Sequence, residues 1–169
     1  MKRAGGSPPI RVRRSRIHGT GVFAAAAIRK GARIMEYAGE RVSHAEAERR
    51  YRDRDPHDNH TFLFTVDART VIDAAVGGNP SRFINHGCAP NCETVIEAKR
   101  IYIEALRDIG RGEELSYDYR IGRDADDPPD IDTVYGCRCG ADRCRGTMLV
   151  PPKQTRRRAA AAGGRRGRR

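Results

Sequence analysis

"RFINHGCAPNCE", residues 82–93, crowds an Arg, an Asn-His pair, two Cys and a Pro-Asn turn into one short segment. A loop uses Pro and Asn for their backbone preferences, but it has no need of His and two thiols beside them. Side chains able to bind, ligate or donate are therefore concentrated in one place, and the rest of the chain must supply the reason.

The remaining thiols lie in "CRCGADRCRGTM", residues 137–148, where Cys137, Cys139 and Cys144 form C-x-C-x4-C. Neighbours two apart do not easily meet disulfide geometry. Three close thiolates instead make a partial zinc site, and structural zinc takes four ligands in a tetrahedron. The fourth must come from elsewhere, with Cys88 or Cys92 as the candidate, so a metal would clamp the opening segment to the C-terminal module. The N-terminus is basic but no apolar run follows it, so it is not read as a secretory signal. With five Cys and no such signal, metal ligation or free thiols are favoured over disulfides, and an intracellular setting is expected.

Charge is distributed unevenly over the 169 residues. Residues 1–16 carry six basic residues and no acid, residues 151–169 carry eight and no acid, and residues 17–150 are net −3. A mildly acidic body therefore sits between two basic arms. The tail "PPKQTRRRAAAAGGRRGRR" has no apolar period and reads as disordered. Arms of this kind suit non-specific contact with nucleic acid, because Arg displaces counterions from phosphate. No stretch approaches the roughly 20 apolar residues that span a bilayer, so no membrane partner is expected.

Alternating short apolar runs predict strands at "RIMEYAG", on both sides of an Asp-Ala-Arg turn in "HTFLFTVDARTVIDA", twice in "TVIEAKRIYIEALRDI", and in "RGEELSYDYR". "VFAAAAI" fits a short strand or a helix. "SHAEAERRYRDR" reads as a helix, with Ser43 as N-cap and Glu46 completing a capping box. "GRDADDPPDID", residues 122–132, holds five Asp and two Pro and reads as a loop. The fold class expected is mainly β.

Residues about 15 to 148 resemble the SET domain of protein lysine methyltransferases with its post-SET module. "IHGTGVFA" and "EYAGE" look like the N-terminal SET blocks, "RFINHGCAPNC" is similar to RFINHSCxPNC, "GEELSYDY" to GEELTYDY, and "CRCGADRCRGTM" to the post-SET pattern. Gly87 stands where the family usually has Ser. The resemblance implies several small sheets with knot-like threading, S-adenosylmethionine as cofactor and zinc as metal. It divides the chain into a basic arm (1–14), a SET domain (15–121), an acidic loop with post-SET zinc module (122–150) and a basic tail (151–169).

Residue by residue, the resemblance assigns His18, Gly19, Gly21, Phe62, Arg82, Asn85 and His86 to the cofactor, Tyr119 and Tyr117 to catalysis, and Cys88, Cys137, Cys139 and Cys144 to zinc, leaving Cys92 over. The position of Tyr117 influences how many methyl groups the site accepts, and a Tyr there implies mono- or dimethylation. The substrate implied is a lysine in a basic protein, histone or histone-like. That places the chain at chromatin in a eukaryote or at the nucleoid in a bacterium. The alternative is a non-catalytic SET-like zinc module docking on the same assemblies. The Asp-rich loop would steer a basic substrate. Lys153, in "KQTRR", resembles the histone H3 stretch around a methylated lysine and is a candidate automethylation site.

Overall fold

The computed structural model describes residues 8–53 and 61–152. Lys153 and the tail beyond it lie outside the described residues.

Part of the basic arm is built into the fold. Strand β1 (Ile10–Arg14) pairs antiparallel with β2 (Thr20–Ala24), in register from Ile10 opposite Ala24 to Arg14 opposite Thr20. The Ala run thus begins as strand, because Val22, Phe23 and Ala24 enter the core. Next come β3 (Arg33–Glu36), β4 (Glu40–Val42) and helix α1 (His44–Tyr51). The Ser43 hydroxyl accepts the Glu46 amide at 3.1 Å, as an N-cap should. The Glu46 carboxylate takes Arg49 and Arg50, a departure from the reciprocal capping box, since ion pairs one turn away compete for it.

The two expected hairpins form. β5 (Leu63–Asp67) pairs with β6 (Thr70–Asp73), which also carries β4 on its other edge. After a 3-10 turn at Pro80–Phe83 and the two-residue β7 (Asn85–His86), β8 (Cys92–Glu97) pairs with β9 (Arg100–Ala105), and β9 also pairs with β3. Finally β10 (Ser116–Tyr117) lies parallel to β7, and a single helical turn, α2 (Ile131–Val134), ends the acidic loop. The result is four small sheets, with β strands dominating.

Alternation along β9 puts Ile101, Ile103 and Ala105 inward. They join two adjoining cores. One gathers Val22, Ile34, Ile84, Ile109, Leu115 and Tyr117, and the other gathers Tyr37, Val66, Ile72, Ala74 and Ile101. Burying this apolar surface is what holds the small sheets together.

Candidate active site

The parallel pairing of β7 with β10 sets Asn85 opposite Ser116 and His86 opposite Tyr117, joining the "NH" and "YDY" blocks across thirty residues of chain. A parallel pair needs a long crossover, and the β8–β9 hairpin supplies it. Gly87 continues the contact, donating its amide to the Tyr117 carbonyl at 3.1 Å. A Cβ at Gly87 would lie 2.7 Å from Ser116 Oγ, so the missing side chain lets the two segments pass closely.

A side chain that sequence reading treated only as a turn former does the most to hold this junction. Asn91 is buried. Its Oδ1 accepts the Ser116 amide at 2.9 Å and the Cys92 thiol at 3.4 Å. Its Nδ2 donates to Glu113 Oε1 at 3.0 Å and to the Glu114 carbonyl at 2.8 Å. Both ends of the amide are spent on the neighbouring block, as a buried amide requires. Asn85 does similar work toward the N-terminus, its Nδ2 donating to the His18 and Thr20 carbonyls and to Glu114 Oε1. Gly21 lies beneath that carboxylate, where a Cβ would collide with Glu114.

Two cavities meet at this junction. The first, about 450 Å³, is lined by the Ile17–Thr20 turn, Phe62, Arg82, Asn85 and His86, with Gly136–Arg138 on the far side. His18 and Gly19 are therefore on its wall, and Gly21 is not among its lining residues. The second, about 440 Å³, is lined by Tyr37, Leu63–Thr65, Tyr117, Arg120–Gly122 and Tyr135. Thr61, Arg82, Tyr119 and Met148 line both.

Arg82 is held at the junction by a bond from Nη1 to the Ala74 carbonyl at 3.0 Å, with its guanidinium over Phe83 and Phe62. Its Nε is buried without a hydrogen-bond partner. A buried donor left unpaired is costly, which makes this atom a marker for a ligand acceptor.

Tyr119 donates its hydroxyl to the Ile84 carbonyl at 2.8 Å, and its ring centroid lies 4.9 Å from that of Tyr117. Burial raises both phenols above their ordinary pKa, so both are neutral at physiological pH. His86 Nδ1 accepts the Tyr119 amide at 3.1 Å. The proton of a neutral imidazole then sits on Nε2, which faces Cys88 Sγ at 3.4 Å. Burial lowers the His86 pKa, against the opposing pull of Asp118.

Cys88, Cys137, Cys139 and Cys144 bring their sulfurs within 4.8 Å of one another. Cys88 Sγ lies 3.7 Å from Cys137 Sγ and 3.9 Å from Cys144 Sγ. Four sulfurs about 2.3 Å from one zinc stand about 3.8 Å apart in a tetrahedron, so the spacing fits that ion. The Arg145 amide points at Cys88 Sγ and the Gly146 amide at Cys144 Sγ, both at 3.4 Å, as suits thiolates. Cys92 takes no part. It is fully buried beside Asn91, and burial pushes its thiol up to about 12. Of the two thiols that the spacing left open, the geometry selects Cys88.

Sequence reading also passed over Arg145. Its guanidinium makes a bidentate pair with Asp118, the residue between the two tyrosines, at 2.8 Å for each bond. The Cys cluster and the tyrosine strand are thereby tied directly. The charge pair was present in the motifs, but nothing in their spacing says that they meet.

The comparisons with known proteins agree with this geometry. A family profile described as SET domain matches residues 19–120. The chain is 43% identical over 145 residues to a protein of Aspergillus fumigatus named histone-lysine N-methyltransferase, H3 lysine-4 specific, a match covering 83% of this chain and 11% of that protein. It is 42% identical over 145 residues to a Saccharomyces cerevisiae protein of the same name, covering 83% and 13%. It is 39% identical over 140 residues to histone-lysine N-methyltransferase trithorax of Drosophila melanogaster, covering 80% and 4%. It spans only a small fraction of these relatives. Among solved structures, a chain in the crystal structure of polycomb repressive complex 2 from Chaetomium thermophilum matches with a TM-score of 0.63 and 37% identity, over 68% of this chain and 15% of that one. With its ordered motifs gathered at one junction and the family profile covering most of its length, the chain belongs to the SET-domain family.

Proposed function

We propose that the chain is an S-adenosylmethionine-dependent protein-lysine N-methyltransferase acting on a histone or similarly basic protein. The observation that carries this reading is the meeting of two cavities at Tyr119 and Arg82, one lined by the motif residues and the other by aromatic rings. The relatives' names support the histone substrate and a chromatin setting; nothing in them supports a bacterial nucleoid.

The first cavity suits the cofactor. The Ile17–Thr20 turn, Asn85 and His86 would hold it, and the orphan Arg82 Nε offers a donor for its carboxylate. When bound, the cofactor supplies an electrophilic methyl group. The four-Cys cluster suits zinc, which would fix the C-terminal module as a wall of the cavity.

The second cavity suits the substrate lysine. Free lysine has a pKa of about 10.4, and only its neutral amine is a nucleophile. Tyr37, Phe64, Tyr117 and Tyr135 supply ring surface to its wall beside Arg82 and Arg120, and partial desolvation with guanidiniums nearby lowers an amine's pKa by disfavouring its charged form. Tyr119 is neutral and its hydroxyl proton is committed to Ile84. It is therefore no general base; it orients the reacting groups and presents its oxygen lone pairs to the junction. Catalysis of this kind works by positioning. Tyr117 narrows the space around the amine, which favours mono- or dimethylation. The Asp-rich loop beside Ile121 and Gly122 supports attraction of a basic segment.

The test is intact-mass spectrometry of a histone H3 N-terminal peptide after incubation with zinc-loaded protein and S-adenosylmethionine. Methyl increments of 14 Da are expected on the peptide, at a rate falling on the order of a hundredfold in Tyr119→Phe, the scale set by a misplaced reacting group. No increment on the peptide or on whole histones, with cofactor bound, would instead assign the chain as a binding module.

A further inference from the structure

We propose that strand β1, with Arg16 just beyond it, binds the phosphate backbone of nucleic acid. Arg11, Arg13, Arg14 and Arg16 are all exposed, within a segment that contains no acid. The rest of the body does not share this sign, since residues 17–150 are net −3. The patch is thus a local positive ribbon on a mildly acidic body, and the body does not share its attraction for a polyanion.

The structure keeps the ribbon's charges available. Unlike Arg50, Arg107, Arg123 and Arg145, which hold carboxylates, Arg11, Arg14 and Arg16 have no carboxylate partner among the described residues. The acids closest to the ribbon along the fold are engaged. Glu113 takes Arg107 and Asn91, and Glu114 takes Ser15 and Asn85. Arg13 is fixed in place, with its guanidinium 3.8 Å from the Phe23 ring centroid and one nitrogen bonded to the Gly112 carbonyl. The outer edge of β1 carries no strand among the described residues.

The chemistry favours nucleic acid over an acidic protein. All four cations are Arg, whose planar fork matches phosphate oxygens in pairs. The apolar anchors that centre a protein interface are missing, Val12 being the sole large apolar side chain exposed on the strand. No residue from 10 to 16 lines either cavity, so a nucleic acid held on these side chains would leave both cavities open.

The test is fluorescence anisotropy of a short labelled DNA duplex titrated with zinc-loaded full chain between about 50 and 200 mM salt. The triple variant Arg11→Ser, Arg14→Ser, Arg16→Ser removes no contact that holds the fold. Each phosphate contact contributes about 0.9 to the slope of log affinity against log salt, so the variant should flatten that slope by roughly 2 to 3. Its peptide methylation should be unchanged. An unchanged slope would overturn the proposal and assign any binding to the other basic segments. Loss of polyglutamate binding in the variant, with DNA binding intact, would overturn it in favour of an acidic protein. The DNA titration needs no methyl transfer, so this inference and the proposed enzyme activity fail separately.

Discussion

Tyr37, Tyr117 and Tyr119 stand around one cavity, yet their hydroxyls are placed differently. Tyr37 donates to the Phe62 carbonyl at 3.0 Å and Tyr119 to the Ile84 carbonyl. Tyr117, between the rings of Phe64 and Tyr119, is the one whose loss of an oxygen would enlarge the space for the amine. Tyr117→Phe should therefore shift products toward higher methylation, with product masses compared at equal conversion. An identical product distribution would rule out this role. Most of the candidate site residues were legible because they stand inside specific motifs; Phe62 stands outside them. Asn91 was harder to see: a Pro-Asn turn explains itself locally, and only the folded contacts reveal that its amide ties its own block to residues 113–116.

At the scale of elements, the Arg145–Asp118 pair joins the Cys module to the segment bearing the tyrosines, just past β10. A partly exposed ion pair contributes about 1 kcal/mol to stability, so its loss should leave the protein folded. Its larger effect should fall on the alignment of Tyr119. Arg145→Glu is expected to lower kcat with little change in cofactor KM or zinc content. Adding Asp118→Arg should restore part of the rate, as should Arg145→Lys in place of Arg145→Glu. Failure of both rescues would reduce the pair to surface decoration.

Elements with a strong local pattern were readable in advance. The β5–β6 and β8–β9 hairpins follow from apolar alternation, and α1 from Ser43 and its helix formers. The turn between β8 and β9 is less obvious, because Ala98 and Lys99 both adopt positive φ, at 48° and 63°, without the Asn-Gly usual there. β7 and β10 have two residues each, too short for any period to register.

Across the whole molecule, the wall of the first cavity depends on the C-terminal module. Gly136 bridges to Thr147, Ile121 bridges to Leu149, and the Cys cluster joins the module to Cys88. Removing zinc with a chelator should loosen this wall, weakening cofactor binding by calorimetry and lowering methyl transfer. Full activity in metal-free protein would contradict the assignment.

The sequence by itself determined the family and the mainly β character and nominated the candidate site residues, because ordered motifs and apolar alternation are local signals. Tertiary structure alone decided which thiol completes the Cys cluster, how Asn91 bridges two blocks, and that Arg145 meets Asp118. The physical reason is one of distance. Those contacts join residues separated by long stretches of chain, and they form only once the hydrophobic cores have brought the small sheets together.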